Sequence, residues 1–170
     1  MINDAITKKA VYDLIRKYIK TEAVVIWENQ AEARPPKPYC SLLFITGAIR
    51  IGHDSEYVEG DNVAVKGERE LILSVNYFGE NSMYELSRVQ TAFGFPSARE
   101  MLLKDNIVFV QETGMRDLSA LMENRFESRS QMDVRFRVTE GAIDLDSTIV
   151  EAVELNNDID NSSVNLDITP

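Results

Sequence analysis

From Tyr39 to Ile51 the sequence YCSLLFITGAIRI is apolar at both alternating sets of positions, with Leu43, Ile45 and Ile49 on one and Leu42, Phe44 and Ala48 on the other. Side chains of a strand change face at every residue, so such a run has to be covered on both sides. That requirement calls for a layered sheet and puts this strand near its centre. Two other segments alternate more simply. In Glu68 to Phe78, Leu71, Leu73, Val75 and Tyr77 share one face against Glu70, Ile72, Ser74 and Asn76. Met132, Val134, Phe136 and Val138 likewise alternate with Asp133, Arg135 and Arg137. Each predicts a strand with one wet face. Between the first two runs, Gly52 to Gly67 is polar and punctuated by glycine, which predicts a long protruding hairpin with an extended tip too long for a two-residue turn.

Helical spacing fills the remaining sequence. Ile6, Ala10, Val11, Leu14, Ile15 and Tyr18 define an apolar stripe over Asp4 to Tyr18, with Lys8, Lys9, Arg16 and Lys17 opposite. AVVIWEN (Ala23 to Asn29) is β-branched and aromatic and predicts a short strand, and ARPPKP ends it as a loop. Ser82 to Glu85 matches a capping box ahead of Met83, Leu86, Val89 and Phe93, with Gly94 as a stop. Pro96, then Ser97 to Glu100, repeats the signal for a short helix through Leu103; Ile107 to Glu112 predicts a strand, and Leu118, Leu121, Met122 and Phe126 predict a helix over Asp117 to Phe126. The expected order, α-β-β-β-α-α-β-α-β, is an α+β single domain with a mainly antiparallel sheet and flanking helices. It is expected to occupy residues 1–155, with IDLDSTIVEAVEL as a last strand. Residues 156–170, rich in Asn, Asp and Ser, are expected to be an acidic arm or a disordered tail.

Charge and composition narrow the function. The chain has 170 residues and a net charge of -10, yet residues 1–137 hold 20 acids and all 18 bases, while residues 138–170 hold eight acids and none. A sequence pI near 4.6 opposes a general nucleic-acid binder, which needs clustered Lys and Arg. No apolar run is long enough to span a bilayer, and the charged start MINDAITKKAVYD lacks the apolar core of a signal peptide, so a soluble protein made in the cytosol is expected. A lone cysteine excludes an intramolecular disulfide framework.

One His and one Cys also leave little material for catalysis. Zinc needs about four such ligands. His53 beside Asp54 and Ser55 is better read as part of a polar hairpin than as a triad, and Cys40 as a buried, inert thiol. Glu68 and Glu70 share a strand face without an aromatic sugar platform. No phosphate loop or HExxH motif is present, and the Asn161-Ser162-Ser163 sequon is uninformative without a secretory signal. Arg129, Arg135 and Arg137 line one strand face, open to reading as solvated surface, subunit interface or a face near DNA. No cofactor or metal is expected.

Three stretches in order, PYCSLLFITGAIRIG (Pro38 to Gly52), RELILSVNYFGENSMYELSRVQTAF (Arg69 to Phe93) and RDLSALMENRFESRSQMDVRFRV (Arg116 to Val138), resemble the tail-terminator or neck-terminator proteins of long-tailed bacteriophages and related prophages. From Pro38 to Val138 the pattern spans about 100 of the 170 residues. The resemblance implies a structural virion protein of the neck, made in the host cytoplasm and closing into a ring, usually a hexamer. Such a ring caps the tail tube, terminates its polymerisation and joins the tail to the head connector. The implied partners are further copies of the chain, the tail-tube protein and the connector or adaptor, with DNA passing without specific binding and no membrane. The family brings no catalytic residues. Candidate contacts, taken from the hairpin tip and the arginine face, are His53, Asp54, Glu56, Tyr57, Glu59, Asp61, Arg129, Arg135 and Arg137. The alternatives are another head-tail adaptor or stopper and, less favoured, a small enzyme or ligand-binding module.

Overall fold

The computed structural model describes residues 4–29, 33–59, 62–122 and 125–144. Helix α1 (Asp4–Tyr18) covers the range its spacing predicts and buries Val11, Leu14 and Ile15 completely, while Lys9 and Asp13 pair one turn apart on the wet side. Strand β1 (Val24–Trp27) follows, then β2 (Tyr39–Phe44), β3 (Ile49–Glu59) and β4 (Asn62–Phe78). Two helices come next, α2 (Ser82–Phe93) and α3 (Pro96–Leu103). After them run β5 (Ile107–Glu112), β6 (Arg116–Asp117), β7 (Ala120–Met122), β8 (Arg125–Glu127) and β9 (Arg129–Asp144).

The main sheet has the order β1-β2-β4-β9-β5, with β3 beside β4 and β6 beside β9. All its pairings are antiparallel except β1 on β2, so the mixed α+β architecture with a mainly antiparallel sheet is as expected. One face carries the core: Leu71, Leu73, Val75 and Tyr77 of β4 and Met132, Val134, Phe136 and Val138 of β9 pack with α1, α2 and α3. Phe93 of α2 ties these layers together, stacked on Phe109 at 4.9 Å and edge-on to Phe136 at 5.9 Å.

Several expectations are corrected. The apolar run 39–51 is two strands, because β2 and β3 occupy the same side of β4 one after the other: β2 pairs with Leu73 to Phe78, β3 with Asn62 to Glu70. The link between them is fastened at Ile72, whose N–H donates to Thr46 Oγ1 and whose carbonyl accepts from the Ile45 N–H. Coverage on both faces therefore stops at Leu42, and Ile45 and Ile49 are exposed. The segment Gly52 to Gly67 is the expected hairpin, but without a long unpaired tip. Pairing continues to Glu59 opposite Asn62, and the polar composition belongs to two strands that leave the core behind.

The expected helix over Asp117 to Phe126 is replaced by β6, β7 and β8. Asp117 Oδ1 accepts the Ser119 N–H at 2.9 Å, an Asx turn that competes with helix, and Leu118, Leu121 and Phe126 are exposed instead of facing a core. The capping box does not form. Asn81, left-handed at φ 56°, precedes α2 without a side-chain cap; Ser82 is buried and its hydroxyl meets Ser128 Oγ at 3.0 Å, while Glu85 pairs with Arg88. Pro96 opens α3 after Phe95, again without a side-chain cap, and Ser97 Oγ contacts the Tyr18 hydroxyl. The expected last strand is in its opening part the end of β9, which runs through Gly141 to Asp144; its remainder and the expected arm 156–170 lie outside the described residues.

Candidate functional site

The hydrogen-bond ladder between β4 and β9 is the axis of the molecule, unbroken from Val63 opposite Asp144 to Phe78 opposite Arg129. Its core residues are Leu71 to Tyr77 of β4 and Met132 to Val138 of β9, at alternate positions. The other end, flanked by β3, forms a three-stranded blade.

A charge cluster stiffens the blade at its root. The Arg69 guanidinium donates to both carboxylate oxygens of Asp54, at 2.7 and 3.0 Å, and through Nε to Glu140 at 2.9 Å, joining all three strands. Bidentate pairing of this kind fixes orientation as well as charge. It also holds the Asp54 carboxyl below its ordinary range, because the Arg69 hydrogen bonds favour the ionised form. Gly67 makes room for it. A Cβ there would fall 1.7 Å from Asp54 Oδ1 and 2.6 Å from Arg69 Nη1. β3 bulges between Ile51 and Ser55, which carries Asp54 into reach.

The sequence-derived contact residues separate into distinct settings. His53 and Glu56 are exposed on β3, whereas Asp54 is turned onto Arg69. Tyr57, opposite Ala64, shares a row with Ile143 of β9; Tyr57 and Ile143 are exposed and Ala64 beneath them is buried. Glu59 is described by its backbone pairing to Asn62, and Asp61 lies outside the described residues. Arg135 and Arg137 share the outer sheet face, where Glu70 at 3.9 Å and Glu68 at 3.7 Å oppose their charge. Arg129 instead lies over the Phe78 ring at 4.9 Å and donates to Asn76 Oδ1 at 2.9 Å. It closes a partly buried polar chain in which Asn76 Nδ2 and Ser41 Oγ both donate to the exposed Glu28 at Oε1.

Sequence reasoning missed other exposed apolar groups. Leu121 of β7 and Phe126 of β8 face each other across their short ladder and are 73% and 70% exposed. Read at helical spacing they looked like core; the Asp-x-Ser turn signal at Asp117 was the clue to the contrary. Val58 at the blade end and Leu103, Val108 and Val110 around β5 are exposed as well.

For chemistry the described residues offer little. Cys40 is fully buried, and burial pushes its thiol far up, so it stays protonated. A concavity of about 540 Å³ between Trp27, Phe44 and Leu71 has Lys8 as its one charged residue among the described residues that line it. Among the described residues no His, Cys, Asp and Glu group is placed to hold a metal ion, and no helix is long and apolar enough to cross a membrane.

The family model for the phage neck terminator protein matches residues 9–163. The chain belongs to the phage neck terminator family. The family is one of structural proteins of the phage neck. The match runs past Asn156 into the acidic end. Among solved structures it is similar to the sheath/tube terminator of an extracellular contractile injection system, PVC, imaged by cryo-electron microscopy in the extended state, at 12% identity and a TM-score of 0.46. That alignment covers 89% of this terminator and 61% of the other chain, so the terminator spans less than two thirds of its neighbour's length. No curated protein matches the sequence.

Proposed function

We propose that the terminator closes into a ring, six subunits being the expected number, which caps the tail tube, stops its polymerisation and presents the surface that the head connector joins. The family match over residues 9–163 carries this reading. The architecture supports it: a blade set off from the core and the exposed Leu121–Phe126 pair supply two different surfaces, as a head-to-tail interface repeated by rotation needs. The tail-tube protein and the connector or adaptor are the other partners, DNA passes through without specific binding, and synthesis takes place in the host cytoplasm. The role is structural, without catalysis. Within the ring, residues 1–155 act as one domain and 156–170 as an acidic arm; blade residues His53, Glu56, Tyr57, Glu59 and Asp61 and the Arg135–Arg137 face serve as contacts.

The test is a phage deleted for this reading frame and complemented in trans. Electron microscopy of lysates should show tails of abnormal length and heads without tails in the deletion, with normal virions restored by the intact chain. Normal virions from the deletion, or a purified protein that is a stable two-fold dimer, would overturn the reading.

A further inference from the structure

β5 is the last strand of the main sheet, and among the described residues only β9 and β6, on the inner side, pair in its neighbourhood. Beside its outer edge a groove of about 350 Å³ is lined by Arg99 and Leu103 of α3 and by Val108 and Val110 of β5. Ile107 and Phe109 also line it, and Leu103, Val108 and Val110 are 55%, 46% and 38% exposed. An open edge flanked by exposed apolar groups accepts an added strand whose alternate side chains fill the groove.

Beyond its last described residue the chain carries a sequence with the alternation of such a strand. In residues 163–169, SVNLDIT, Val164, Leu166 and Ile168 alternate strictly with Asn165, Asp167 and Thr169. We infer that residues 163–169 of one subunit add as a strand to the free edge of β5 in a neighbouring copy, with Val164, Leu166 and Ile168 in the groove. The inference rests on the proposed ring. Charge favours the match: residues 138–170 hold eight acids and no base, while Arg99 lines the groove and Arg135 and Arg137, opposed only at 3.9 and 3.7 Å, stand in the next strand. Reach permits it. The 18 residues from 145 to 162 span up to about 60 Å when extended. Direction favours a neighbour over the same subunit, since β9 runs on to Asp144, six positions past its last partner in β5, and the chain so leaves the sheet at the blade end, beyond its own β5.

Cysteine pairing tests it, the native Cys40 being buried. Full-length protein carrying Val108→Cys or Val110→Cys is mixed with a differently sized tagged protein carrying a cysteine at one position from 164 to 168, under mild oxidation. The inference expects mixed disulfide dimers from Val164→Cys, Leu166→Cys and Ile168→Cys and a loss of them from Asn165→Cys and Asp167→Cys. Dimers without that alternation, no dimers, or closure within single chains carrying both cysteines would overturn it. A chain ending at Ser162 separates this from the ring reading: rings lost with the fold intact support strand addition. Rings still closing on tail tubes would sink the strand while leaving the terminator role standing, whereas failure of the intact chain to cap tubes would remove both.

Discussion

Arg69 is where sequence composition and structural role differ most. Its side chain is 13% exposed and binds two carboxylates from different strands, so an arginine amid acidic hairpin residues is a clamp and not part of a solvated surface. Arg69→Met takes the shared guanidinium from between Asp54 and Glu140, leaving Arg50 at 3.4 Å from Asp54, and Gly67→Ala evicts Asp54 from the same site. Both variants should lose amide protection across residues 62–70 in hydrogen-exchange mass spectrometry, with the core amides of 71–78 unaffected. A pH dependence follows from the lowered Asp54 value. A carboxyl titrating lower folded than unfolded adds stability that is complete above the ordinary carboxylate value of about 4 and lost as pH falls through its folded value. Urea midpoints measured down to that acid range should therefore fall more steeply for the native chain than for Arg69→Met. Equal slopes would place Asp54 outside the clamp. Residues of this kind resist prediction because Asp54 and Arg69 meet through a bulge that no local pattern announces, and a list of charged hairpin residues includes Asp54 as an outward contact without its partner.

Elements whose stabilisation is local were legible. α1 follows from its apolar stripe, α3 from Pro96 at its first turn, and β5 from its β-branched run. The segment 117–127 was not, since Leu118, Leu121 and Phe126 fit helical spacing but meet no core, and the Asp117 turn decides the backbone instead. The blade was half legible: its hairpin showed in the glycines and charges, whereas its paired length depends on β9, far away in sequence. Two substitutions distinguish core from contact surface. Phe93→Ala removes a ring at 1% exposure with two aromatic neighbours and should cost about 3–5 kcal/mol in urea unfolding. Leu121→Ser with Phe126→Ser should change stability by no more than about 0.5 kcal/mol per site, yet reduce ring formation in mass photometry. Unchanged ring formation would remove the β7–β8 pair from the interface.

At the scale of the whole molecule, none of the described residues from 55 to 65 belongs to the core cluster. Replacing them by an Asn-Gly turn should leave the circular dichroism spectrum and melting temperature near those of the native chain, while complemented phage give unjoined heads and tails of abnormal length. Normal virions from that folded variant would reduce the blade to ornament. β4 has a mechanical consequence, because the 17-residue strand is at once spine of the blade and centre of the core. A force along the blade loads the β4–β9 ladder in shear, where hydrogen bonds share the load, and not in peeling, where they break one by one. Strain at the far end is then felt directly beneath α2 without passing through any hinge, and the molecule bears tension along the blade with the same strand that holds it folded.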